Sequence, residues 1–347
     1  MGAVAEGRTA FVTGASGFIG RHLTAVLAER GWRVRCLVRP TSVVRPLRRV
    51  GAELHRGDVL QPTSLESGLA GVDAVFHLAG LTEAWTLADF MRVNAEGTWN
   101  VARACAARVA PPVLVVCSSL ASAGPIRRGA VRTEADPLAP TSAYGRSKRA
   151  GELAAESCAD RVPTTILRPG IVFGEWNRLM LPMFRTIART GIHFVPTFAP
   201  PPLSLIHVRD LVELLVAAAE RGTRIAPRQA GGKPHTRPPG YYFATMAEYP
   251  TWVQLGRMTA QFLGRRHVCL FHLAEPLPWI IAAVNELIGR WRGRHEIVTW
   301  DKMREAIVPS WASSPAAASQ DLAFAPAWSL GERWRQTVEW YQARGWL

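Results

Sequence analysis

Thr13-Gly14-Ala15-Ser16-Gly17-Phe18-Ile19-Gly20 follows the apolar run Thr9 to Val12 and leads into Ile19, Leu23, Val26 and Leu27 at helical spacing. The pattern predicts a short buried strand, a tight turn and a helix from about Phe18 to Arg30. Gly14 allows the turn, Gly17 lets the backbone approach a pyrophosphate, and Gly20 lets the helix pack closely on the strand. The helix start then offers unpaired N–H groups and a positive dipole end to phosphates. Backbone from Ser16, Phe18 and Ile19 completes this candidate dinucleotide cradle.

The residues that follow extend the strand–helix alternation. A second strand, Arg33 to Val38, ends at Arg39, nineteen residues beyond Gly20. An acidic residue there would bond the ribose of NAD, whereas an arginine suits a 2′-phosphate. NADP(H) is therefore the preferred cofactor and NAD(H) the alternative, with Arg45, Arg48 and Arg49 close by. A strand at Glu53 to Arg56 leads into Gly57-Asp58-Val59, and a helix capped near Thr63-Ser64 comes next. Ala74 to Gly80 reads as a buried strand ending in Leu78-Ala79-Gly80. A helix from about Leu87 to Arg108 carries Asn94 and Asn100. Strands at Pro112 to Cys117 and Thr164 to Leu167 end in Ser118-Ser119 and Arg168-Pro169-Gly170. Alternating strands and helices predict right-handed βαβ units and an α/β, doubly wound parallel sheet. Ligands of such sheets bind beyond the carboxyl ends of the strands. Gly14, Asp58, Gly80 and Ser119 all fall there.

Tyr144-Gly145-Arg146-Ser147-Lys148 carries the chemistry. If Pro140 to Ser142 start a helix, Tyr144 and Lys148 share one face. A nearby cation favours phenolate, so it would lower a phenol pKa that begins near about 10. Such a tyrosine can exchange a proton with an alcohol or carbonyl oxygen. Of 41 basic residues only Lys148, Lys233 and Lys302 are lysines. A lysine in so arginine-rich a chain points to a need for a compact charge with movable donors. Chance placement of the five tyrosines and three lysines would give only ~0.04 such pairs.

Composition limits the alternatives. With 347 residues, 48% hydrophobic and 20% charged, the chain is globular with a sizeable core. The net charge of +14 is spread along the chain without a basic run interleaved with aromatics, so the reading includes no nucleic acid partner. Most of the five scattered cysteines lie in apolar surroundings and read as small core residues in a reducing compartment, and no metal is called for. Met1 to Arg8 lacks the pattern of a secretory signal, and Glu6 stands where a myristoylation signal wants Ser or Thr. The expected location is cytoplasmic.

Beyond Ile171 the alternation weakens. The Gly- and Pro-rich 222–240 segment reads as a loop, and helices are expected around Thr251 to Leu263, Pro276 to Trp291 and Ser329 to Arg344. The apolar Leu277 to Val284 stretch is too short to span a bilayer. Core packing is its default reading, with a substrate lid or a membrane-surface helix as alternatives. Trp252, Trp279, Trp291, Trp300 and Trp311 are candidates to line an apolar pocket.

Together these motifs resemble the extended short-chain dehydrogenase/reductases of the NAD-dependent epimerase/dehydratase superfamily. Arg168-Pro169-Gly170-Ile171-Val172-Phe173-Gly174 and Ile206-His207-Val208-Arg209-Asp210-Leu211 also resemble family patterns. The resemblance implies a Rossmann sheet (1–170) and a smaller, mainly helical substrate-binding part (171–347), with 204–221 returning to the core. It implies Tyr144 as acid/base, Lys148 as pKa modulator and ribose ligand, and Ser119 as hydrogen-bond partner of the reacting oxygen. Alternation along the strand end also favours Ser119 over Ser118. Asp58 and Val59 would lie near adenine. Asn94 would bridge backbone near the cofactor or serve the helix alone. Leu78, Ala79, Gly80, Pro169, Gly170 and Val172 would line the dinucleotide site.

Leu120-Ala121 replaces the acid pair of sugar dehydratases, and Arg39 replaces the acidic residue of NAD-retaining epimerases. Leu37 to Ser42 and the apolar C-terminal region look closer to dihydroflavonol reductases and 3β-hydroxysteroid dehydrogenases. The expectation is an oxidoreductase interconverting an alcohol and a ketone on a fairly apolar, cyclic, sterol- or terpenoid-like substrate. A nucleotide-sugar 4-epimerase with retained NAD and a non-catalytic dinucleotide-binding scaffold are the rivals. A homodimer paired through helices at about 89–108 and 144–159, and peripheral membrane contact, are further expectations.

Overall fold

Strand β1 (Thr9–Thr13) is buried on both faces because its alternate residues Val12 and Phe11 pack into separate apolar clusters on opposite sides of the sheet. Helix α1 (Phe18–Glu29) returns the chain to β2 (Arg33–Val38), which pairs parallel to β1 with Val12 opposite Cys36. The computed structural model describes residues 7–227, 237–293 and 299–347. The readings made on residues 1–6, and on 228–236 of the 222–240 loop, lie outside the described residues.

The alternation continues through α2 (Arg45–Arg49), β3 (Glu53–Arg56), α3 (Pro62–Gly68) and β4 (Ala74–His77). Then come α4 (Leu87–Met91), a wide π-turn (Arg92–Glu96), α5 (Gly97–Ala106), β5 (Val113–Cys117), α6 (Ala143–Glu156) and β6 (Thr164–Pro169). After β6 the chain adds β7 (Ile171–Phe173), α7 (Leu181–Thr190), β8 (Ile192–Val195), β9 (Leu205–His207) and α8 (Val208–Arg221). It finishes through β10 (Tyr241–Ala244), α9 (Trp252–Phe262), β11 (Cys269–His272), α10 (Leu277–Arg292), α11 (Trp300–Ala306), α12 (Ala316–Leu322) and α13 (Leu330–Ala343).

The main sheet has seven strands in the order β10-β6-β5-β4-β1-β2-β3, every neighbouring pair parallel. Strand order reverses direction at β1 and β4, and the crevice beyond their carboxyl ends is where such sheets hold ligands. Residues of period two divide the two faces. Val12, Cys36, Phe76 and Val115 pack with Leu23, Leu27, Leu211, Leu215 and Leu322 from α1, α8 and α12. Phe11, Val75, Leu114 and Ile166 pack with Leu65, Val101, Cys105 and Ala155 from α3, α5 and α6. Each such buried side chain contributes roughly 1.5–3 kcal/mol of transfer free energy. Phe173, Phe184, Leu255, Trp334 and Tyr341 build a further core from the C-terminal elements. Sheets β7–β9 and β8–β11 are two-stranded and parallel.

Four expectations are corrected. The helix foreseen near Thr63-Ser64 is capped at Gln61, with Pro62 in its first turn, while the Ser64 hydroxyl donates to the Asp58 and Gln61 carbonyls. The Leu87 to Arg108 helix is opened by the π-turn, which carries the Asn94 side chain to the loop after β4. The α10 stretch is not core: only Pro278, Ala282 and Gly289 are buried, whereas Leu277, Ile280, Val284, Leu287 and Trp291 are exposed. Trp291, 86% exposed, lines no enclosed pocket. Its helix meets the rest of the protein through Pro278, Ala282 and Gly289, with Trp279 against the Trp300 ring and Arg290 over Trp85. Cys36, Cys105, Cys117 and Cys158 are buried free thiols, while Cys269 is exposed.

Candidate active site

The glycine turn is built as backbone against backbone. Gly14 has φ of +70°, and a Cβ there would lie 2.6 Å from Ala79 N. A Cβ on Gly20 would lie 2.2 Å from Gly14 O. Helix α1 starts at Gly17 with no side-chain cap and no acidic residue in its first turn. Its positive end is thereby left to a ligand's phosphates, so the residues present fit a dinucleotide. Ser16, Phe18 and Ile19 are half-buried around that turn.

A chain of hydrogen bonds fixes the turn to its surroundings. Ala79 N–H donates to Thr13 Oγ1 (3.2 Å), and Thr13 Oγ1 lies 2.8 Å from His77 Nδ1. His77 Nε2 lies 2.9 Å from Thr98 Oγ1, which itself donates to Asn94 O at 2.7 Å. Thr98 has thus spent its proton, so His77 carries its hydrogen on Nε2 and accepts from Thr13 at Nδ1. Burial, and then Lys148, push His77 down to about 3, so it is neutral. An unfolded chain binds a proton here below about 6.5, whereas the folded one does so only near 3. This site's stability is therefore full above 6.5 and falls as pH drops towards 3. Between pH 7 and pH 5, urea unfolding should lose about 2 kcal/mol more in the wild type than in His77→Gln. An equal loss in both proteins would remove His77 from the acid response.

Asn94 is buried in the π-turn. Its Oδ1 accepts from Leu81 N (2.8 Å), while Nδ2 donates to Leu81 O (3.0 Å) and Ser147 Oγ (2.9 Å). It joins the loop carrying Leu78, Ala79 and Gly80 to α6. A Cβ on Gly151 would lie 2.3 Å from Asn94 O, so α6 packs directly on the turn.

Ser142 caps α6, its hydroxyl accepting from Gly145 N at 2.8 Å. Tyr144, Lys148 and Glu152 then recur every four residues on one face. The Ser119 hydroxyl acts on the Tyr144 phenol, favouring its ionised form. Ser119 Oγ also accepts from Ala121 N (3.1 Å), whereas Ser118 Oγ turns away to donate to Glu152 at 2.6 Å. Lys148 Nζ donates to Cys117 O (2.8 Å), the last residue of β5. The two hydroxyls and the ammonium thus meet at the carboxyl edge of β5, all half-buried.

The electrostatics differ from the expectation of a lowered tyrosine pKa. Burial raises Tyr144 above its ordinary value; the Ser119 hydroxyl pulls it down, and Glu305 and Cys117 push it further up. Burial lowers Lys148, opposed by Cys117 and Glu152. Removing water from the phenolate outweighs the neighbouring charge because Lys148 is directed at the Cys117 carbonyl.

Glu152 was not singled out from sequence. It is fully buried, accepting from Ser118 and Ser122 (2.6 Å each), Arg168 Nε (2.9 Å), Arg168 Nη2 (2.7 Å) and Arg149 (2.9 Å). Arg168, itself 2% exposed, lies over the Tyr241 ring at 4.6 Å. The pair ties the Ser118-Ser119 turn, α6 and β6 into one unit. The i, i+4, i+8 spacing from Tyr144 was the available signal.

The other candidates spread along the same edge. Arg39 is exposed just after β2, its N–H donating to Ser42 Oγ (3.0 Å), and it forms no ion pair among the described residues. Asp58 Oδ1 accepts from Leu60 N (3.0 Å). Val59 is buried against Gly97, so it offers this edge backbone rather than side chain. Pro169 ends β6, Gly170 has no room for a Cβ beside Ser204 O (2.4 Å), and Val172 pairs with Ile206. Among the described residues no group of His, Cys, Asp and Glu is placed to hold a metal ion.

A parallel sheet in this strand order, with a glycine turn at its switch point, defines a dinucleotide-dependent enzyme of the extended short-chain dehydrogenase/reductase type. The sequence profile of the NAD dependent epimerase/dehydratase family matches residues 10–230, and the chain belongs to that family. It is 31% identical over 340 residues to a ceramide reductase of Caulobacter vibrioides, covering 97% of this chain and 95% of that protein. It is 32% identical over 215 residues to a 4-hydroxy-2-methyl-3-oxo-4-farnesyl-3,4-dihydroquinoline-1-oxide ketoreductase of Stigmatella aurantiaca, covering 61% of this chain and 64% of that protein. The fold is shared with a UDP-glucose 4-epimerase of Thermotoga maritima at a TM-score of 0.75 and 18% identity, covering 97% of this chain and 99% of that one.

Proposed function

We propose that the chain is an NADP(H)-preferring ketoreductase, reversible as an alcohol dehydrogenase, acting on an apolar lipid carbonyl. The observation that carries this reading is the meeting of Ser119, Tyr144 and Lys148 at the carboxyl edge of β5, beside the glycine turn. Ser119 would orient the substrate oxygen, Tyr144 would give it a proton on reduction, and Lys148 would hold the ribose. When bound, the dinucleotide supplies the hydride. A tyrosine whose proton is held firmly by burial suits the acid of the reductive direction.

The apolar substrate class is supported by relatives named for ceramide and for a farnesylated quinoline. A sterol or cyclic terpenoid remains one form of it. Arg39, exposed where a 2′-phosphate would lie, supports NADP(H). Arg39→Asp should weaken NADPH at least tenfold more than NADH, about 1.4 kcal/mol of selectivity. Fluorescence titration measures both, and equal losses would remove the 2′-phosphate role.

Two further parts of this reading concern surfaces. No helix of the described residues is long and apolar enough to cross a membrane. The exposed row Leu277, Ile280, Val284, Leu287 and Trp291, next to Arg290 and Arg292, supports contact with a membrane surface. Exposed Trp99 on α5 and Leu153 on α6 support a homodimer through those helices. The division into a dinucleotide-binding part over 1–170 and a substrate part over 171–347 belongs to the same proposal.

The purified protein tests the reading against the epimerase rival. Exchangeable NADPH and reduction of a long-chain or polycyclic ketone are expected. Tightly copurifying NAD with turnover of a UDP-sugar, without added cofactor, would overturn it.

A further inference from the structure

Both described lysines of this arginine-rich chain converge on Tyr144. Lys148 comes from its own helix, and Lys302 comes from α11, more than 150 residues away. Lys302 Nζ stands 4.9 Å from the centre of the Tyr144 ring and pairs with Glu305 at 3.2 Å. The same short helix grips the start of α6. Asp301 accepts from Ala143 N (2.7 Å) and Tyr144 N (3.1 Å), and Glu305 accepts from the Ser142 hydroxyl (2.7 Å). The Glu305 carbonyl in turn accepts from Trp311 Nε1 at 2.7 Å. The pair is largely shielded, with side-chain exposures of 25% for Lys302 and 18% for Glu305. Charges so placed act through less water than surface charges and are screened less by salt.

We propose that α11 is a positioning element for Tyr144, in which Lys302 and Glu305 act with opposite sign to set the pH at which the phenol releases its proton. Lys302 over the ring favours the phenolate, and Glu305 favours the phenol. Among the described residues the remaining groups facing Tyr144 are Lys148 on α6, Cys117 at the end of β5, the Ser119 hydroxyl, Asp301 on α11 and the Phe90 ring of α4. None of these changes in the variants below. A C-terminal segment that chooses substrate would thus also tune the acid/base group. This inference rests on Tyr144 being that group.

The test is a pH titration of the full chain enriched in [13Cζ]tyrosine, followed by NMR with NADP+ present. Five tyrosines give a readable spectrum, and Tyr144→Phe assigns the signal. Glu305→Gln should move the Tyr144 midpoint to lower pH, and Lys302→Met to higher pH, each by roughly 0.5 or more. Lys302→Arg should restore a midpoint near the wild type. NADP+ affinity and circular dichroism establish that each variant is folded. Shifts of the same sign, no shift, or a phenol still protonated at pH 11 in Glu305→Gln would overturn the proposal. A purely structural α11 would lower stability without the opposite shifts. If Tyr144→Phe abolishes turnover while the shifts are missing, only this inference fails; if Tyr144→Phe stays active, the acid/base reading itself fails.

Discussion

Tyr144→Phe should reduce ketone turnover by about 10²–10⁴-fold, the usual worth of a positioned proton donor. The loss should appear in kcat with little change in cofactor affinity, because the ring, Lys148 and the Lys148–Cys117 bond stay in place. Phe retains the contacts with Phe90 and with Lys302 over its face. Stability should change by about 1 kcal/mol or less, since only the hydroxyl's polar interaction with Ser119 is lost and no buried charge is exposed. Stopped-flow oxidation of NADPH measures the effect. Turnover within a few-fold of wild type would remove Tyr144 from the proposed chemistry.

Glu152→Ala should be the most damaging change to the fold. It strands the Arg168 guanidinium in an interior where it is 2% exposed, and removes the carboxylate that accepts from the Ser118 and Ser122 hydroxyls, leaving Ser122 its bond to the Ser119 carbonyl. Removing one partner of a buried ion pair costs about 3–5 kcal/mol, a large share of the roughly 5–15 kcal/mol that holds a domain together. Burial pushes the Glu152 carboxyl up, but Arg168 and the bonds around it prevail and hold it down to about 2. Its stabilisation is therefore present above the ordinary carboxylate range near 4.5 and lost as pH falls towards 2. The double variant Glu152→Leu with Arg168→Met, which buries no lone charge, should recover part of the loss. Denaturant unfolding of all three proteins decides it. A single-variant loss under about 1 kcal/mol would mean that the pair does not tie the Ser119 turn to α6.

The sheet was legible because its signals are local. Thr9 to Gly20 carries strand, turn and helix start within a dozen residues, and each later strand repeats a buried apolar run. The Tyr144–Lys148 spacing was equally visible because four residues are one helical turn. What stayed hidden depends on contacts between distant parts of the chain. Whether a phenol's pKa goes down or up depends on burial, and Tyr144 is covered by α11, which lies more than 150 residues away. Glu152 looked like an ordinary helix glutamate until β6 brought Arg168 to it. The apolar α10 read as core because sequence shows hydrophobicity but not which neighbours cover it; only Pro278, Ala282 and Gly289 are fully buried. The π-turn at Asn94 had no sequence signal, since it exists to let one side chain reach Leu81 across the sheet edge.

The most direct measurement follows the hydride. Protein freed of nucleotide would be incubated with NADPH carrying deuterium at both positions of nicotinamide C4 and a long-chain or polycyclic ketone, and the product read by mass spectrometry. The proposed reductase places one deuterium on the carbinol carbon and releases one NADP+ for each alcohol formed. A product without deuterium, or no reduction alongside epimerisation of a UDP-sugar on retained NAD, would contradict it.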